Sequence, residues 1–175
     1  LVAAGIADAL LGNDRAILSR YDDSVVRVVD GDVMLVRRAR GYAPQPLSLP
    51  ALDGITPCVL ACGPQQKATV ALTREDADSH TACFVSQHIG DVENGGTFDA
   101  WNTARTRLED LFDLAPAALA CDLHPSYLSG QWAREQARKC NLPLVEVQHH
   151  HAHIASVMAE AIAACLLYTS PSPRD

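Results

Sequence analysis

A chain of 175 residues with 48% apolar content is long enough for one full domain or parts of two, and apolar enough to bury a core. Its net charge of −7 and pI near 5.4 supply no general basic field, which argues against a nucleic-acid partner, although Arg37, Arg38 and Arg40 form a local basic cluster. The six cysteines show no CxxC pair and no regular spacing, which fits reduced thiols in a cytoplasmic protein, and no apolar run approaches the ~18 residues a bilayer requires, so no membrane association is expected.

The chain opens without Met inside LVAAGIADALLGN, where apolar residues at helical spacing predict a helix over 1–12 that GNDR breaks. Strands are expected near 25–29 and 33–37. Asp30-Gly31 between them predicts a hairpin, because glycine supplies the positive φ of a tight primed turn. Prolines at 44, 46, 50 and 57 then keep the chain extended and remove ladder donors, so residues 47–57 read as a linker and 1–46 as a separate unit.

From Cys58 the pattern is strand (58–62), turn, strand (67–73), polar turn, strand (81–89) and a long amphipathic helix near 97–113. A strand (117–123), a helix (126–140), a strand (144–148) and a helix beginning at the histidines complete it. The order β-β-β-α-β-α-β-α predicts a mixed sheet: the first three strands pair as a meander, and the βαβ crossovers add parallel neighbours. It is the order of a ribonuclease-H-like half of an actin-like ATPase. The last eleven residues, CLLYTSPSPRD (165–175), match at every position one translated frame of the transposase adapter DNA used in sequencing libraries. They are expected to be non-native, and the chain to be a piece of a longer protein cut at both ends.

Six stretches can carry chemistry. The turn ACGPQQKATVAL holds Gly63, Lys67 and Thr69, which suit nucleotide phosphates but equally suit an ordinary hairpin with a solvated lysine. SQHIGDVEN places Gln87, His88, Asp91 and Glu93 at a strand end, and CDLHPSYLSG does the same with Asp122 and His124; each set is open to ligand binding or to simple turn capping. SRYDDSVVR and RRARGYAP offer Arg20, Asp22, Asp23 and Ser24 with Arg37, Arg38 and Arg40. Alternation along a strand puts Arg38 and Arg40 on one face, either as forks for phosphate or as a charged edge that resists aggregation. In VQHHHAHIASVMAE, His149 and His153 stand at i and i+4 on one helical face, the spacing at which two imidazoles grip one divalent metal; a polar helix start is the alternative. No catalytic acid, base or nucleophile is assigned.

Together these motifs resemble the HypF carbamoyltransferases of [NiFe] hydrogenase maturation. DRAILSRYDDSVVR and RRARGYAP are similar to the end of the YrdC-like domain. CGPQQKATVAL, SQHIGDVEN, ACDLHPSYLS and VQHHHAHIASVMAE are similar, in order and spacing, to the first half of the TsaD-like domain, over residues 58–164. The resemblance implies an α/β fold, α+β in its N-terminal piece. It also implies a two-stage reaction: carbamoyl phosphate and ATP give carbamoyl adenylate, and the carbamoyl group then passes to the C-terminal cysteine thiol of a HypE-like partner. It places Arg20, Asp22, Asp23, Ser24, Arg37, Arg38, Arg40 and Lys67 around carbamoyl phosphate and nucleotide, with ATP/Mg as cofactor. It also places one divalent metal, Fe or Zn, on His149 and His153. This chain alone is expected to be inactive and to bind metal weakly. A tRNA threonylcarbamoyl transferase, which shares these folds, and a non-catalytic nucleotide- or metal-binding module are the competing readings.

Overall fold

The computed structural model describes residues 2–17, 19–49, 57–75 and 81–168, the last seven of these in backbone alone. Strands β1 (Val25–Val29) and β2 (Asp32–Arg37) pair antiparallel as a separate two-stranded sheet. Asp30 and Gly31 join them at φ 52° and 91°, the left-handed pair that a primed hairpin turn needs.

The other six strands form one mixed sheet in the order β3-β6-β5-β4-β7-β8. Strands β4 (Val59–Ala61), β5 (Ala71–Glu75) and β6 (Thr81–Val85) run as the expected antiparallel meander. Strands β7 (Ala118–Asp122) and β8 (Leu144–Val147) extend it in parallel beside β4. The edge strand β3 (Pro46–Leu49) pairs antiparallel with β6. It arises where ladder donors were expected to be lacking. Pro46 opens this strand at the sheet edge, where a missing N–H is tolerated. Residues 50–56 of the expected linker lie outside the described residues.

Among the described residues, three helices connect or follow these strands. Helix α1 (Gly95–Phe112) starts at a reciprocal cap, with Asn94 Oδ1 accepting from Thr97 N–H at 3.1 Å and Thr97 Oγ1 accepting from Asn94 N–H at 3.3 Å. Helix α2 (Leu128–Cys140) packs on β7 and β8, and α3 (His149–Tyr168) starts two residues after β8. The core lies between sheet and helices: Leu60, Leu72, Phe84 and Leu119 from strands meet Trp101 and Leu108 of α1 and Ala133 of α2. Trp101 is fully buried, and its indole N–H donates to the Cys62 carbonyl at 3.1 Å, which satisfies the polar end of a large apolar ring.

Three expectations are corrected. Residues 2–12 form turns and irregular backbone rather than a helix, with Ile6, Leu10 and Leu11 all exposed. Twelve residues are marginal as an isolated helix in water, and among the described residues nothing covers their apolar side. The strand expected at 67–73 begins only at Ala71, because Lys67 takes a left-handed φ of 50° and Ala68 bridges Gly90 instead. The strand expected at 81–89 ends at Val85 for the same reason, its continuation being used to close the 65–68 turn. No helix of the described residues is long and apolar enough to cross a membrane.

Candidate functional site

Parallel pairing of β7 with β8 sets Asp122 opposite Val147, so both strands end at the same side of the sheet. The start of α3 is therefore carried to the end of β7. There His149 Nδ1 lies 2.7 Å from Asp122 Oδ2, and His149 Nε2 lies 3.1 Å from His153 Nε2. Helical i, i+4 spacing brings the two rings together, with centroids 4.7 Å apart and planes nearly perpendicular. His150 and His151 meet edge to face and stay out of the pair.

This end of β7 is firmly held. Asp122 Oδ1 accepts the His124 N–H at 2.9 Å, and the His124 ring stacks on Tyr127. From α2, Arg134 donates through Nη2 to the carbonyls of Asp122 (3.1 Å) and Leu123 (3.2 Å) and through Nε to Glu146 at 2.7 Å. Arg134 is a brace that motif spacing did not single out, since its partners are two backbone carbonyls at the end of β7 and a carboxylate of β8.

Two nitrogens bound to one tetrahedral metal at ordinary lengths stand about 3.3 Å apart. The observed 3.1 Å between the histidine Nε2 atoms matches that ligand-to-ligand distance, so the pair fits as half of a divalent site. Among the described residues no group of three or more His, Cys, Asp or Glu side chains is assembled to hold a metal ion.

The remaining expected residues gather at the junction between the N-terminal segment and the sheet. The His88 N–H donates to the Arg38 carbonyl at 2.8 Å, and Gln87 Nε2 donates to the Arg20 carbonyl at 3.1 Å. The Lys67 N–H donates to Asp91 Oδ1 at 2.8 Å, closing the 65–68 turn on the 88–92 segment. Glycine is required at 63, where φ is 65° and a Cβ would collide with the Thr69 carbonyl. Burial, and next the Arg37 charge, hold His88 below the usual imidazole range; Lys67 acts the same way, and Asp91 and Asp22 oppose them. The charges of Arg37, Lys67, Asp91 and Asp22 thus all act on one imidazole that the sequence had only placed at a strand end.

The arginines are used individually. Arg38 Nη2 donates to the carbonyls of Tyr42 (2.8 Å) and Gln45 (2.6 Å), spanning the turn that holds the cis Ala43-Pro44 bond. Burial lowers its pKa from the usual guanidinium value. Arg40 faces Asp23 at 3.5 Å in solvent and donates to the Tyr21 carbonyl. The pairing of Arg38 and Arg40 on one strand face is not found, because β2 ends at Arg37. Ser24 Oγ accepts the Ala39 N–H and donates to the Arg40 carbonyl, both at 2.8 Å, so it ties this segment together.

A cleft of about 410 Å³ opens beside α1 between Tyr21, Pro44, Gln87 and Arg107, and burial raises the Tyr21 pKa there. A second, of about 540 Å³, is lined by Asn102, Trp132 and the Arg105–Glu109 ion pair. Neither holds the histidine pair. Burial raises the thiol pKa values of Cys58, Cys83 and Cys121 and pushes Cys62 up to about 12, which leaves these sulfurs protonated and poor nucleophiles.

The HypF Kae1-like domain family matches residues 55–160 of this chain. The chain belongs to the HypF family. The carbamoyltransferase HypF of Synechocystis is 44% identical over 155 residues, which are 89% of this chain and 19% of that protein. The carbamoyltransferase HypF2 of Cupriavidus necator is 49% identical over 160 residues, again 89% of this chain and 19% of the relative. A crystal structure of full-length HypF in a phosphate- and nucleotide-bound form is 42% identical and superposes with a TM-score of 0.77, over 90% of this chain and 23% of that one. The T. kodakarensis HypF structure gives a TM-score of 0.73 at 33% identity, over 85% of this chain and 18% of that one. The chain thus spans about a fifth of the HypF proteins it matches.

Proposed function

We propose that this chain is part of a carbamoyltransferase of [NiFe] hydrogenase maturation. Residues 1–46 would close a YrdC-like domain, and 58–164 would form the ribonuclease-H-like first half of a TsaD-like domain. In this reading carbamoyl phosphate, ATP and water give carbamoyl adenylate, phosphate and pyrophosphate, with Mg accompanying the nucleotide. A thiolate then attacks the carbamoyl carbon and AMP leaves. Adenylation suits this carbon, which its own nitrogen deactivates. The acceptor would be the C-terminal cysteine of a HypE-like protein, which agrees with the buried, proton-retaining thiols of the core here.

The observation that carries the reading is the facing of His149 Nε2 and His153 Nε2 at 3.1 Å, within a chain of the HypF family. These imidazoles would hold one divalent ion, Fe or Zn. When bound, it would supply Lewis-acid polarisation of the carbamoyl carbonyl. Around the nucleotide and carbamoyl phosphate, Arg20, Arg37, Arg40 and Lys67 would offset phosphate charge, while Asp22, Asp23, Ser24 and Arg38 would shape the wall that carries them. Family membership favours this reading over a tRNA-modifying transferase.

The test grafts residues 5–164 into a full-length HypF relative in place of its matching segment. Mass spectrometry then follows gain of one carbamoyl group on the C-terminal peptide of HypE. Transfer is expected, and His149→Ala or His153→Ala is expected to abolish it while the graft stays folded. Transfer at the parental rate by both histidine variants would sink the proposal. The 175-residue chain alone is expected to form no AMP from carbamoyl phosphate and ATP.

A further inference from the structure

We infer that Asp122 is a positioning residue that fixes the tautomer and ring orientation of His149, so that a bare Nε2 lone pair is aimed at His153. Its use rests on the metal-holding reading of the histidine pair. Asp122 is the last residue of β7, its side chain is only 9% exposed, and its two oxygens have separate tasks. Oδ1 is held by the His124 N–H at 2.9 Å, which turns Oδ2 toward α3. A carboxylate only accepts, so the 2.7 Å contact of Oδ2 with His149 Nδ1 requires the hydrogen on Nδ1.

The tautomer of the whole pair follows. In a neutral imidazole with Nδ1–H, Nε2 is an acceptor. The atom facing it at 3.1 Å is His153 Nε2, which therefore carries its hydrogen and donates. His149 is preset to bind through Nε2, whereas His153 must move its hydrogen to Nδ1 before it can bind through the same atom. Asp122 lies on the ring edge opposite the pair, and is therefore not a ligand while His149 binds through Nε2. Carboxylates behind metal-binding histidines act in this way, and losing one typically weakens metal binding ~10–100-fold.

Substitution by asparagine tests the arrangement with little change of shape. In Asp122→Asn the amide oxygen still receives the His124 N–H, which leaves the NH₂ group against His149 Nδ1. That nitrogen must then accept, and the ring is forced to the Nε2–H form. Long-range ¹H–¹⁵N spectra of the histidine-labelled 175-residue chain, without metal, read this directly, with His149 signals assigned by their loss in His149→Gln. The expected result is Nδ1–H for His149 and Nε2–H for His153 in the unsubstituted chain, and a switch of His149 to Nε2–H in Asp122→Asn. A His149 ring already in the Nε2–H form in the unsubstituted chain overturns the inference, and so does an unchanged tautomer in Asp122→Asn. The unsubstituted spectrum decides even if the variant does not fold.

A zinc titration of the same samples separates the two readings. Zinc should convert only His153 to the Nδ1–H form, with ~10–100-fold weaker binding in Asp122→Asn. Should the His149 tautomer follow Asp122 while zinc fails to bind the unsubstituted chain, the positioning inference stands and the metal reading falls.

Discussion

The arginine cluster and the histidine pair are both polar motifs with candidate binding roles, and the fold treats them in opposite ways. Arg38, the most buried of the cluster, spends donors on two backbone carbonyls of a turn, and Ser24 is likewise tied to backbone atoms. At the other end of the sheet, His149 and His153 turn ring nitrogens toward each other, and a carboxylate and an arginine brace the strand end behind them. What separates a structural group from a binding group here is whether its polar atoms are already consumed by the backbone. Charge density along the chain does not report that.

The largest effect is expected from Arg38→Ala. It deletes two charge-assisted hydrogen bonds, and should cost about 2–4 kcal/mol of stability by urea denaturation. Zinc affinity at the histidine pair should be unchanged. A stability loss below about 0.5 kcal/mol would mean that the turn does not depend on Arg38, and a loss of zinc binding would mean that the two regions are coupled.

Smaller in effect is the junction imidazole. Burial and then Arg37 lower the His88 pKa from 6.5, so the unfolded chain takes up its proton first. Stability from this group is fully present above pH 6.5 and is lost as pH falls from there through the lower folded-state value. The urea midpoint should therefore drop between pH 7.5 and 5.5, with a visibly flatter profile in His88→Gln. An identical profile in that variant would assign the slope to other groups.

The smallest effect is expected from Asp23→Ala. The Arg40–Asp23 pair is long at 3.5 Å and solvent-exposed, so its loss should change stability by no more than about 0.5 kcal/mol, and added salt should erase the difference. A larger, salt-resistant loss would place Asp23 in the same structural class as Arg38.

Much of this was determined locally. Periodicity located α1, α2 and most strands of the larger sheet, because these elements bury one face against each other and show it as a 3.6- or 2-residue rhythm. Asp30-Gly31 set its hairpin through φ alone, and i, i+4 spacing put His149 and His153 on one face. The apolar spacing in residues 1–12 misled, because so short a segment is marginal as a helix by itself and its Ile6, Leu10 and Leu11 stay exposed. The tertiary structure alone decided that Pro46 begins an edge strand, that Arg38 serves a turn, and that Asp122 stands behind His149 across 27 residues of sequence. Those outcomes depend on which strands become neighbours. Strand pairing is a long-range choice that no short window of sequence contains.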